Sequence, residues 1–224
     1  MFPISDSIPA RRFPFITVAL IAINVFVFFQ QIVTPDTEAF VATYALIPSK
    51  VNFANPATLF PFITSMFLHG GFLHIISNMW FLWVFGDNVE GYLGTFKYLL
   101  LYFASGILGS LAQFLLMRDS PIPTLGASGA IAGVLGAYYV MFPESKIKTL
   151  LPVFGFISFV TVSAPFMLGY WFILQVISGA VSLPSTGSMG GVAFFAHIGG
   201  FIAGFVLAKI LKPRNIDTIE GSLA

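Results

Sequence analysis

A chain of 224 residues that is 57% hydrophobic and only 8% charged cannot cover a water-facing surface, because soluble domains carry about a quarter charged residues. The net charge of +1 gives no footprint for nucleic acid, and the lack of cysteine excludes disulfides and thiol catalysis without fixing the compartment. Lipid is therefore the main solvent, in keeping with a mean hydropathy of +0.92.

The first apolar stretch, 13–35, follows Arg11 and Arg12 and has the outline of an export signal. It is too long for a signal core, and no small-x-small cleavage site follows promptly, so it reads as a retained helix. A long connection over about 34–70 comes next, rich in Pro, Asn and aromatics. It is expected at the outer membrane interface, with short amphipathic helices limited by Pro56 and Pro61. The stretches 51–86, 98–117 and 120–143 also lack Asp, Glu, Lys and Arg, and each has room for one helix of about 20 residues. The last uncharged stretch, 149–208, is broken by the polar cluster from Ser182 through Pro184 to Ser188 and so holds two. Helix five is expected at about 150–180, interrupted by Pro165. The predicted fold is all-α and polytopic, with six transmembrane helices over 13–211 between a cytoplasmic segment 1–12 and a cytoplasmic tail 212–224.

Six spans place both termini on one side. With them go Arg11, Arg12, Lys97, Lys146, Lys148, Lys209, Lys212 and Arg214, leaving only Lys50 and Arg118 opposite. That asymmetry orients the termini toward the cytoplasm of a cell membrane, plasma or inner.

Polar side chains at membrane depth are costly and commonly functional. The chain has three His, namely His69, His74 and His197, all next to or within predicted spans. A lone buried His can be satisfied by a backbone carbonyl and merely pack helices; three of them with Asn78 and Ser128 weigh against that reading. Counted at 1.5 Å per residue from the inner charge ending each helix, His74 lies about 20 Å above Asp87, Ser128 about 24 Å above Glu144 and His197 about 18 Å above Lys209. In a hydrocarbon core of about 30 Å these residues share one level below the outer surface. Asn78 follows His74 by four residues and shares its face.

A serine hydroxyl becomes a nucleophile when a base such as imidazole is within reach, and Ser128 with His197 supplies that pair. Ser128 opens a helix in Gly126-Ala127-Ser128-Gly129, where the first amides lack intrahelical partners and can hold an oxyanion. His74 and Asn78 can add side-chain donors. Asp87 and Glu90 lie too far down helix two to orient His197, so the expected constellation is a dyad. The glycine motif alone is weak, since Gly129-x-x-x-Gly133 equally fits close helix packing. Gly199, Gly200 and Gly204 give helix six a matching small seam. No carboxylate accompanies the histidines and no H-E-x-x-H occurs, so neither metal nor cofactor is expected.

Gly126-Ala127-Ser128-Gly129, Ala196-His197-Ile198-Gly199-Gly200, and the segment from Leu68-His69-Gly70-Gly71 through His74 to Asn78 together resemble the motifs of the rhomboid family of intramembrane serine proteases, in order and spacing, across roughly residues 13–211. The resemblance implies a six-helix rhomboid-like bundle in which Ser128 attacks, His197 acts as base and then acid, and His74, Asn78 and the Ser128 amide hold the oxyanion. His69, Gly126, Gly129, Gly199 and Gly200 support them. It further implies transmembrane protein substrates cut near the outer face, the bilayer as the other partner, and helix five, with Phe166, Tyr170, Trp171 and Phe172, as a side gate. Two positions differ from some members. Phe60-Pro61 replaces a Trp-Arg pair in the first loop, and Ala132 replaces a Tyr beneath the histidine, so the ring is expected to rest on Tyr138 or a Phe. Two other functions compete: an inactive relative that binds and escorts membrane proteins, which retention of both Ser128 and His197 opposes, and a proton-relaying transporter, which would place ionisable residues through both halves of the membrane.

Overall fold

In the computed structural model, residues 1–153, 156–183 and 192–211 are described. The tail 212–224 and most of the polar cluster after Leu183 lie outside them. The chain forms a short strand β1 (Phe2–Asp6), then α1 (Phe15–Val33), α2 (Thr37–Tyr44), α3 (Pro61–Thr64), α4 (Phe72–Leu93), α5 (Thr95–Leu116) and α6 (Ser128–Met141). A hairpin of β2 (Lys146–Val153) and β3 (Phe156–Ser163) leads into α7 (Ala164–Ser182) and α8 (Phe194–Leu211).

Helices α1, α5, α7 and α8 are long and apolar enough to cross a membrane. The segment Pro56–Phe67 leads into α4 with a bend of 78°. The helix α6 has only 14 residues, about 21 Å at 1.5 Å per residue, which is shorter than the roughly 30 Å of hydrocarbon. The mostly helical, polytopic architecture expected from the charges is therefore present.

Three local expectations differ. Residues 146–153 and 156–163 pair as antiparallel strands alongside β1 in the order β1-β2-β3, so helix five begins at Ala164 rather than near 150. Absence of charge from residue 149 onward marked this stretch as apolar but could not distinguish helix from strand. In the run Ile157-Ser158-Phe159-Val160-Thr161-Val162 every residue but Ser158 is β-branched or aromatic, and exposure alternates residue by residue. Pro165 consequently sits in the first turn of α7, where a missing N–H costs nothing, and does not interrupt the helix. The third difference is that α4 continues past Asp87 to Leu93.

Glu90 explains how α4 tolerates that extension. Its carboxylate accepts from the backbone N–H of Ile16 (3.0 Å) and Thr17 (2.8 Å) and from Thr17 Oγ1 (2.9 Å). The orphan amides at the start of α1 thereby gain a buried acceptor, and the carboxylate meets the positive end of the helix. The buried stripe of α1 runs Thr17, Leu20, Asn24, Phe28, Gln31, at helical spacing, while Phe15, Phe26 and Phe29 are exposed. Polar groups inside and phenyl rings outside are the arrangement a helix adopts when its surroundings are lipid.

The end of the bundle holding the start of α1 also holds β1 and the hairpin. Trp80 Nε1 donates to Pro3 O (2.7 Å), Phe2 stacks on Trp80, and Asp6 Oδ2 accepts from Tyr138 OH (2.5 Å) and Asn88 Nδ2 (2.6 Å). Burial pushes the Asp6 carboxyl above its ordinary range. Lys97 Nζ donates to Leu211 O at this end too (2.9 Å).

Ten consecutive residues of α6, Gly129 to Tyr138, are buried, as befits a helix that is apolar all round. Its closest neighbour is α8. A methyl group on Gly200 would collide with the Gly129 carbonyl, and one on Gly204 with the Gly133 carbonyl; on Gly136 it would strike Phe201 O. Since both sides of each contact are backbone, no rotamer can relieve the clash. Gly200→Ala is therefore expected to lower the unfolding temperature sharply or prevent folding. Gly169→Ala on α7, whose nearest atom would be Tyr139 Cε2 at 4.0 Å, is expected to be neutral or to stabilise by about 0.5–1 kcal/mol. Thermal unfolding of the two variants in one detergent checks both.

Candidate active site and family

Ser128 is the first residue of α6 and so carries an amide without an intrahelical acceptor. The chain reaches it through Gly126, whose φ of +125° strongly favours glycine. Gly126 N donates to Ser65 O (2.8 Å). The loop before α6 is also tied to the first connection by a two-way bridge, Leu46 N to Thr124 O (3.0 Å) and Thr124 N to Leu46 O (2.7 Å). Thr64 Oγ1 donates to Tyr44 O (2.7 Å), while Phe60 is exposed. Backbone bridges and the Leu46–Phe62–Phe114 cluster thus anchor this loop without the Trp-Arg pair.

His74 lies in the first turn of α4, half-buried. A methyl group on Gly126 would come within 2.9 Å of His74 Nε2 and 3.6 Å of Ser128 Oγ, so both atoms converge on the space that this glycine leaves open. Gly70 N donates to His74 Nδ1 (3.2 Å). Because Nδ1 accepts, the single proton of the neutral ring belongs on Nε2, facing Ser128. One turn on, Asn78 is buried and its Nδ2 has no partner among the described residues. A buried donor left unpaired in this way calls for an explanation.

His197, on α8, is 9% exposed. Gly129, next to Ser128, packs against Ala196, next to His197; the glycine seam brings the two helices together at this level. Gly199 turns to α5, where a methyl group would lie 2.6 Å from Ala112 Cβ. The His197 ring does not rest on Tyr138, whose hydroxyl is engaged with Asp6 and Ser145 at the far end. Trp171 of α7 covers it instead, centroid to centroid 5.7 Å at 34°, and Nδ1 is 2.8 Å from Gln175 Oε1.

His69 is fully buried and lies behind His74, ring to ring 5.2 Å. Neither of its ring nitrogens has a partner among the described residues. Its backbone is clamped by one side chain of α1: Gln31 Nε2 donates to His69 O (2.7 Å), and His69 N donates to Gln31 Oε1 (3.1 Å). A recess beside Ser128 is edged by Ser65, Ser110 and Thr124.

Sequence reasoning missed Gln31 and Gln175, and saw in Trp171 only an aromatic of helix five. An amide inside an apolar span was the available signal.

Residues 56–214 match the family described as the rhomboid domain. The chain belongs to the rhomboid family. This rhomboid is 33% identical over 201 residues to "Rhomboid protease GluP" of Bacillus subtilis, covering 88% of the chain and 35% of that protein. It is also 33% identical over 220 residues to "Rhomboid protein 1, mitochondrial" of Saccharomyces cerevisiae, covering 91% of the chain and 56% of that relative. The rhomboid chain described here thus spans between about a third and just over half of the length of these relatives. Family membership and the apolar helices together make it a multi-pass integral membrane protein.

Replacing Gln31 by Leu in this rhomboid strands both backbone groups of buried His69. Each unsatisfied group costs about 1–3 kcal/mol, and the loss is expected as a lowered unfolding temperature in detergent, with Gln31→Glu falling between Leu and wild type because it keeps an acceptor for His69 N.

Proposed function

We propose that this rhomboid is an intramembrane serine endopeptidase that cuts transmembrane segments of other membrane proteins near the outer face, by a mechanism built on Ser128 and His197. The observation that carries the reading is the convergence of Ser128 Oγ and His74 Nε2 on the space above Gly126, at the head of a helix too short to reach the membrane surface.

In this mechanism Ser128 Oγ attacks the scissile carbonyl while His197 Nε2 takes its proton. The imidazolium then gives that proton to the departing amine, leaving an acyl-enzyme. Three donors suit the oxyanion: the Ser128 N–H, the His74 Nε2–H fixed by Gly70, and the unpaired Asn78 amide. An unliganded site needs no tight serine–histidine bond, because such bonds commonly shorten only when substrate is held. The hydroxyls of Ser65, Ser110 and Thr124 can hold the water that releases the acyl group. The likeness to a protein named a rhomboid protease supports the same chemistry.

A peptide bond in a regular helix is hydrogen-bonded and shielded, so a recessed serine favours segments whose helix opens readily. The uneven distribution of Lys and Arg supports a cytoplasmic location for both termini in a plasma or inner membrane, with segment 1–12 on that side and residues 13–211 as the catalytic domain.

The test uses purified full chain in liposomes with fluorescent single-span substrates and a fluorophosphonate probe. Wild type is expected to cleave and to be labelled, Ser128→Ala to do neither, and His74→Ala to lose about 10²-fold or more in kcat, the scale of one oxyanion donor. Cleavage by Ser128→Ala at the wild-type rate, or a wild type that neither cleaves nor labels, overturns the assignment.

A further inference from the structure

The contact between α7 and His197 has a chemical direction. Trp171 and Gln175 are four residues apart on α7 and share its face, and both reach the His197 ring. The orientation of the Gln175 amide follows from its second contact: Nε2 is 3.5 Å from Trp171 O, and a carbonyl can only accept. The amide nitrogen therefore points at Trp171 and Oε1 points at the imidazole, 2.8 Å from Nδ1. An amide oxygen cannot donate, so Nδ1 must carry the hydrogen. A neutral imidazole has one N–H, and with it on Nδ1 the Nε2 lone pair is bare. A flipped amide would drive the proton to Nε2 and leave the ring unable to accept one there.

The setting explains why an amide does this. Asp87 and Glu90 lie toward the opposite end of α4, where Glu90 is committed to α1. A carboxylate buried beside His197 would be costly in lipid, whereas an amide fixes the tautomer without charge. Packing alone would hold the ring poorly from this side, because α7 is 22% buried against 44% for α8. A directional bond supplies what close packing does not.

We propose that Gln175 is the positioning residue of the His197 base: through Oε1 it holds the ring in the Nδ1–H tautomer with Nε2 free, Trp171 covering one face, so that the site is a serine–histidine–glutamine series rather than a dyad. The proposal rests on the protease reading for its kinetic consequence but not for the tautomer itself.

Two measurements test it on the full chain. The first is 15N-detected NMR of histidine side chains in detergent micelles, in Ser128→Ala and in Ser128→Ala carrying Gln175→Leu. A protonated Nδ1 on His197 is expected in the former, and loss of that signal or a mixed tautomer in the latter. The second is kinetics in liposomes. Gln175→Leu is expected to lower kcat by about 10- to 100-fold with KM within about twofold, within the range set by a base held in the wrong tautomer. Gln175→Glu, which keeps the acceptor and adds charge, is expected to restore most of kcat and to move the acid limb of the pH–kcat profile to higher pH. Wild-type kcat in Gln175→Leu, or an unprotonated Nδ1 in the Ser128→Ala chain, overturns the proposal. Should Gln175→Leu fail to fold, the pH profile of Gln175→Glu decides, an unmoved acid limb overturning the proposal and a moved one supporting it. A wild type that cleaves nothing yet shows the protonated Nδ1, lost on Gln175→Leu, overturns the protease reading and supports the positioning role.

Discussion

The backbone contact of α6 with α8 governs where every other group can be. Lipid tails supply no hydrophobic force to drive two apolar helices together, so association depends on dispersion and on how near the backbones can come. Gly129 and Gly133 on one helix and Gly200 and Gly204 on the other remove the side chains from the line of contact. Ser128 precedes that seam by one residue and His197 precedes it by three. The spacing of the helix segments that carry Ser128 and His197 is thus set by main-chain atoms, the stiffest part of each helix.

Around this seam, α4 and α1 carry a second layer of constraint made of hydrogen bonds. Glu90 takes the free amides of α1 at one end, and Gln31, nearer the other end of α1, clamps the backbone of His69. The same helix therefore fixes both ends of the α4 region. His69 packs on the His74 ring, and Gly70 fixes its tautomer. Among the described residues, the buried side-chain atoms left without a partner include Asn78 Nδ2, both ring nitrogens of His69, Tyr102 OH and Ser105 Oγ. For Asn78 the unpaired Nδ2 is the donor that the proposed mechanism assigns to the oxyanion.

The two sides of the site are built differently. The serine sits on the most enclosed helix, whose ends are tied by the loop bridge to Leu46 and by the Tyr138 cluster with Asp6 and Ser145. The histidine ring is met by a helix largely open to lipid, through one ring contact and one hydrogen bond. Rigidity around Ser128 comes from packing density. Around His197 it comes from bond direction.

The sequence alone marked the solvent, the apolar stretches and the residues proposed for the chemistry. Absence of charge is a one-dimensional property, and lipid exposure imposes it directly, so the apolar stretches were readable without any knowledge of contacts. Polar residues inside such stretches stand out for the same reason, which is how Ser128, His197 and His74 could be picked out at one expected depth, with Asn78 a turn deeper. What tertiary structure decided is everything that depends on a partner distant in the chain. Strand 146–153 pairs not only with 156–163 but with β1, some 140 residues earlier. Glu90, read only as a charge too low to help His197, proved to cap α1. The ring support expected from Tyr138 or a Phe came from Trp171 of α7, since which face of that helix meets α8 is fixed by packing and not by periodicity in an apolar segment. Gln175 was visible as an amide in a span, but only its two contacts reveal which way the amide points and therefore which nitrogen of His197 is left free.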